Sequence, residues 1–90
     1  MRIEKNPFFN DRLFSILKYI AINNPANAKK FKKELDQKII NLVNMPFKYR
    51  QSIHYDDINV RDLIFKGYTI PYLIDNDMIV ILDIFKWENK

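Results

Sequence analysis

Apolar residues in this chain recur at one period before Pro46 and at another after about Asn59. The first part repeats every three or four residues, the second every two. The two periods belong to helices and strands respectively. Asn6-Pro7 reads as a helix start, with Asn as N-cap and Pro at the first helical position. Phe9, Leu13, Ile16, Leu17 and Ile20 then form one helical face. The stretch INNPAN interrupts it, because the residue before a proline disfavours helical geometry. Asn24-Pro25 starts a second helix with Ala28, Phe31, Leu35, Ile39 and Leu42 on one face, ending before Pro46. So short a break predicts an antiparallel helical hairpin, whose two apolar stripes need a partner layer.

The second half supplies that layer. Val60 to Lys66, Tyr68 to Ile74 and Met78 to Lys86 read as three strands, turning at Gly67 and at Asp75-Asn76-Asp77. MRIEK at the N-terminus reads as a further short strand. The expected fold is α+β, in the order β-α-α-β-β-β. A helical hairpin packs on one face of a small, mainly antiparallel sheet, in a single domain over residues 1–90. Pro71 offers no N–H to a ladder and predicts a local irregularity. By alternation, Tyr68, Ile70 and Tyr72 share one face of the middle strand, and Thr69, Pro71 and Leu73 the other. The second set is expected to face a cleft on the side away from the helices.

Composition narrows the functional classes. With no cysteine, a disulfide framework and a cysteine zinc site are excluded. One glycine leaves no glycine-rich phosphate loop. The N-terminus lacks the apolar core of a signal peptide, and MIVIL is too short to span a bilayer. A cytoplasmic protein without membrane contact is expected. The net charge of +4 suits nucleic acid or an acidic protein partner and does not choose between them.

Few side chains suggest chemistry. His54, Asp56 and Asp57 lack the spacing and ligand number of a tight metal site, so no metal and no cofactor is expected. Ser15 and Ser52 have no evident base. Lys29 to Lys33, KKFKK, surrounds Phe31 and reads as a solvated helical face or as a contact with phosphate or an acidic partner. Lys48 and Arg50, in FKYRQ, form a second basic patch, a candidate for nucleic-acid binding together with Lys86.

Three stretches, taken in order, carry a resemblance. LFSILKYIAINNPANAKKFKKEL holds Leu-x-x-Ile-x-x-Tyr-Ile, then a proline, an alanine and a phenylalanine. IINLVNMP closes with Leu-x-x-x-Pro. VRDLIFKGYTIPYLIDNDMIVILDIF holds Arg-x-Leu, then Tyr-x-Ile-x-Tyr, then Ile-x-Ile-Leu-x-Ile. The chain resembles the RelE/ParE superfamily, the plasmid-stabilisation toxins of bacterial type II toxin–antitoxin systems, over nearly its whole length. The resemblance implies a toxin neutralised by a cognate antitoxin, with promoter DNA bound only through that antitoxin. It implies one of two targets: DNA gyrase, poisoned without hydrolysis in the ParE manner, or mRNA cut in the ribosomal A site in the RelE manner.

RelE-like cleavage without metal needs groups that activate a 2′-hydroxyl and stabilise a phosphorane. The candidates are Lys86, Arg61 and Lys66. Each also has an ordinary reading: Arg61 paired with a carboxylate, Lys66 solvated before a turn, Lys86 solvated at a strand end. Thr69 stands where the resemblance implies an arginine, and Lys86-Trp87 where it implies a histidine or arginine and a further basic residue. Thr69, Pro71 and Leu73 make a poor phosphate surface, which puts the gyrase mode ahead of the nuclease. Pro71, Leu73 and Trp87 suit apolar contacts with a partner protein instead. A third reading is a degenerate member that binds a partner and poisons nothing.

Overall fold

The computed structural model describes residues 1–86. Trp87 therefore lies outside the described residues. The element order is β1 (Arg2–Lys5), α1 (Pro7–Asn23), α2 (Pro25–Asn41), β2 (Val60–Phe65), β3 (Tyr68–Asp75), β4 (Met78–Ile81) and β5 (Phe85–Lys86).

Local chemistry places both helices. The Asn6 side chain accepts a hydrogen bond from Phe8 N–H at 2.8 Å, with Pro7 opening α1. Asn24 serves both helices: its N–H donates to Ile20 O at 3.0 Å, and its side chain accepts from Asn27 N–H at 3.2 Å. Its extended backbone, φ −158°, is all that separates the two helices. Ala28, Phe31, Leu35 and Ile39 on α2 and Phe9 and Leu13 on α1 are buried, as their spacing predicts. Ile16, Leu17 and Ile20 complete the α1 stripe at half burial. Burying each large apolar side chain contributes about 1.5–3 kcal/mol. α2 seats Phe31 edge-on against Phe65 and Tyr68, with ring centroids 5.1 and 5.6 Å apart.

The sheet runs in the order β1-β4-β3-β2, with β5 also paired to β3. β1 lies parallel to β4, and the remaining pairs are antiparallel. The β2–β3 turn uses Lys66 (φ 49°) and Gly67 (φ 82°), both in the left-handed region. Two positive φ values suit the right-handed twist of a two-residue hairpin. Lys66 thus belongs to the turn and not to the strand that the sequence suggests. The irregularity expected at Pro71 is present. Pro71 O accepts from Leu82 N–H at 2.9 Å, but Pro71 has no N–H to return. The expected single last strand breaks there into β4 and β5. Register steps by one residue across the gap, from Tyr72 opposite Ile81 to Thr69 opposite Phe85. One extra residue on one strand is a β-bulge.

Residues directly opposite in a ladder share a face. Leu63, Phe65, Ile70, Tyr72, Ile79 and Ile81 point into the core under the helices. The Tyr72 hydroxyl donates to Pro46 O at 2.6 Å and so ties down the start of the long connection, residues 42–59. The other face holds Asp62, Thr69, Pro71 and Leu73, and the connection crosses it. Ser52 N–H donates to Val60 O at 2.7 Å, and Ile53 N–H to the Asp62 carboxylate at 3.4 Å. The His54 ring meets Phe85 edge-on at 4.9 Å. Thr69 and Asp62 are fully buried, Pro71 is buried and Leu73 half-buried. The open cleft expected beside Thr69 and Pro71 is filled: residues 50–52 pair with the outer edge of β2, and Ile53 and His54 then cross the face.

Candidate functional site

Lys86 lies at the end of β5, opposite Tyr68 in the ladder. It lines an open groove of about 420 Å³ with Arg12, Ser15, Ile16 and Tyr19 of α1 and with Tyr68 and Phe85. The Arg12 guanidinium is held there by Asp83, Nε to Oδ1 3.2 Å. The bulge puts Asp83 in that position, where its carboxylate also accepts from Ile84 N–H. Tyr55 lies by the same ion pair, in a neighbouring recess with Asn6, Phe8 and Leu82. Burial, and then the charge of Asp83, pushes the Tyr55 phenol above its usual range. Tyr72 is pushed up to about 12, mainly by burial, and its proton is committed to Pro46. It acts as an anchor and not as a proton acceptor.

The other basic candidates lie elsewhere. Arg61 pairs with Tyr72 on the β2 side of β3, whereas Lys86 pairs with Tyr68 on the opposite side. Those two tyrosines lie about 13 Å apart along the strand, at about 3.3 Å per residue. Arg61 donates to Tyr49 O at 3.2 Å and lies 4.9 Å from the Phe47 ring. Its anchor is a carbonyl and an aromatic face, not the carboxylate expected for it. Lys66 forms an ion pair with Glu34 of α2 at 2.6 Å. That hydrogen bond holds the Glu34 carboxyl below its usual range. Lys48 and Arg50 do come together. They line one recess with Tyr49, Asp62 and Ile64, and Arg50 lies 3.8 Å from the buried Asp62. Among the described residues no group of three His, Cys, Asp or Glu side chains could hold a metal ion.

Exposed apolar surface gathers elsewhere again. Phe8, Phe14, Tyr19 and Ile22 are 63–80% exposed along the outer side of α1. Met45, Phe47, Ile53 and Ile58 project from the 42–59 connection. Sequence reading overlooked Arg12, Tyr19 and Asp83. The signal for Tyr19 was present: it stands on α1 outside the buried stripe, where a polar residue is expected. Asp83 carried no such signal, because the bulge decides where it points.

The family described as "ParE toxin of type II toxin-antitoxin system, parDE" matches residues 3–89. The chain belongs to the ParE toxin family. It is the toxin component of a type II toxin–antitoxin module, and a cognate antitoxin is its partner. No curated protein matches the sequence. Among solved structures it is similar to a chain of the chromosomal ParDE TA system from P. aeruginosa, with a TM-score of 0.78. The identity is 19%, over 98% of this chain and 97% of that one, so this likeness shows a shared fold. No helix among the described residues is long and apolar enough to cross a membrane.

Proposed function

We propose that this ParE-family toxin inhibits growth by poisoning DNA gyrase in the cytoplasm, without hydrolytic chemistry of its own. The observation that carries the reading is the dispersal of the cationic candidates. Arg61 is engaged by Tyr49 O and Phe47, Lys66 by Glu34, and Lys86 faces α1. Cleavage of a phosphodiester needs a base, an acid and a charge stabiliser within hydrogen-bond reach of one phosphate. These three side chains do not meet that condition. The RelE-like alternative rests on Lys86 and Tyr68 in the groove beside α1.

The antitoxin, in this reading, covers the apolar side chains exposed on α1. Phe14, Tyr19 and Ile22 give it exposed apolar contacts on the outer side of α1. Pro71 and Leu73 contribute less in this arrangement, since both are at least half-buried already.

Induced expression with nucleic acids followed in the same cells tests the mode. Accumulated DNA breaks and filamentation, with mRNA intact, are expected. Codon-spaced mRNA cleavage with DNA intact would replace this reading with the nuclease. Normal growth with soluble toxin present would leave only partner binding.

A further inference from the structure

The outward face of α2 is built mainly of lysines and amides. Lys30, Lys33, Glu34, Gln37, Lys38 and Asn41 line an open groove of about 450 Å³, with Phe65 as its floor. The two acidic residues of α2 are already engaged. Glu34 is paired with Lys66 at 2.6 Å, and Asp36 with Lys32 at 2.7 Å and Lys5 at 3.7 Å. Among the described residues no carboxylate lies within 4 Å of Lys30, Lys33 or Lys38. These three ammonium groups are spread over about 12 Å of helix axis. Gln37 and Asn41 line the same groove, and their amides donate hydrogen bonds.

We infer that this face of α2 docks the phosphate backbone of duplex DNA. Protein interfaces have apolar, aromatic centres and few lysines. Here Phe65 is 6% exposed, and Ile40, the exposed large apolar side chain of α2, does not line the groove. Nucleic-acid interfaces are polar and strongly positive. A single strand would need an exposed aromatic platform for its bases, which the groove lacks. A duplex needs only phosphate contacts, and ammonium and amide donors supply those. The choice of DNA over duplex RNA rests on the gyrase reading, since gyrase holds DNA. The phosphate contact itself is independent of that reading.

Fluorescence anisotropy with the full chain and a short labelled DNA duplex, between about 50 and 200 mM salt, tests the inference. Lys30→Gln with Lys33→Gln is compared with Arg2→Gln with Lys18→Gln, which removes the same charge elsewhere. Glutamine matches lysine closely in helix propensity, and circular dichroism confirms the fold of each variant. The α2 variant is expected to weaken binding more than the control, and its log–log salt slope to fall by about 1.8, about 0.9 per lost phosphate contact. Equal weakening by both variants overturns the site, because net charge alone then explains binding. Absence of binding by the unmodified chain overturns it too. Tighter binding to duplex RNA, or equal competition by polyglutamate, overturns the assignment to DNA. If the duplex binds as expected but gyrase cleavage complexes do not accumulate, the gyrase reading fails and the DNA contact stands.

Discussion

α1 and α2 begin alike and face inward alike, but face outward in opposite ways. Each has 17 residues, an asparagine N-cap and a proline in its first turn. Each lays an apolar stripe on the same sheet. Outward, α1 shows Phe8, Phe14, Tyr19 and Ile22, whereas α2 shows lysines and amides with one isoleucine. The inner stripes are interchangeable in kind because the core asks only for volume and apolarity. The outer faces carry no such demand, so their difference reflects what each must meet. A water-facing helix has no folding reason to display two phenylalanines, a tyrosine and an isoleucine.

The largest expected effect tests the shared side. Phe9→Ala on α1 and Leu35→Ala on α2 each remove a side chain that is 0% exposed. Each should lower stability by about 2–5 kcal/mol, read from urea unfolding midpoints. A loss on only one helix would show that the two inner stripes do not contribute comparably. The second effect tests the differing side. Replacing Phe14, Tyr19 and Ile22 by serine should leave unfolding within about 0.5 kcal/mol per site. It should weaken antitoxin binding by about 2 kcal/mol or more, measured by calorimetry. The Lys30 and Lys33 glutamine variant should leave antitoxin affinity unchanged. If it weakens the antitoxin as much as the α1 variant does, the division between the two faces collapses.

What could be read from the sequence follows the range of the interactions that decide it. Asn6-Pro7 and Asn24-Pro25 act within one turn, so both helix starts were visible. The buried stripes were visible for the same reason. Pro71 announced a break, but the break appears on the neighbouring strand at residues 82–84, and only register locates it. The parallel pairing of β1 with β4 joins the two ends of the chain, and no local pattern encodes that. Site residues were harder still. Asp62 alternates with Arg61 and Leu63 like a solvent-facing strand residue, yet it is fully buried, its carboxylate met by Ile53 N–H and the Arg50 side chain of the long connection. Arg61, Lys66 and Lys86 looked like one basic set in sequence. Three different partners divide them in space: a carbonyl with an aromatic ring, a carboxylate, and the α1 groove.

Asn24 tests the junction of the two helices with a smaller effect. Its side chain caps α2 while its N–H closes α1. Asn24→Ala removes the first contact and keeps the second, so a loss of about 1 kcal/mol is expected. Asn24→Ser retains a capping oxygen and should recover most of that stability in the same unfolding assay. Equal loss in both variants would show that the extended backbone of residue 24, and not its cap, sets the hairpin.

The smallest effect belongs to the Glu34–Lys66 pair, which neutralises the one carboxylate that lines the α2 groove. The Lys66 hydrogen bond lowers the folded Glu34 pKa below its ordinary value of 4.5. A carboxyl with a depressed folded pKa contributes stability that is present above the unfolded value and lost as pH falls through the folded one. The pair is exposed, so the stability change should be slight and further reduced by salt. The sharper readout is an NMR titration of the Glu34 carboxyl. In Lys66→Ala it should titrate at higher pH than in the unmodified chain, because the hydrogen bond to its charged form is gone. The same variant leaves an uncompensated carboxylate among Lys30, Lys33 and Lys38, so duplex binding should weaken although Lys66 itself does not line the groove. An unmoved Glu34 titration would mean that the ion pair does not persist in solution. The α2 face would then carry a free negative charge, and its contrast with α1 would be weaker than the geometry indicates.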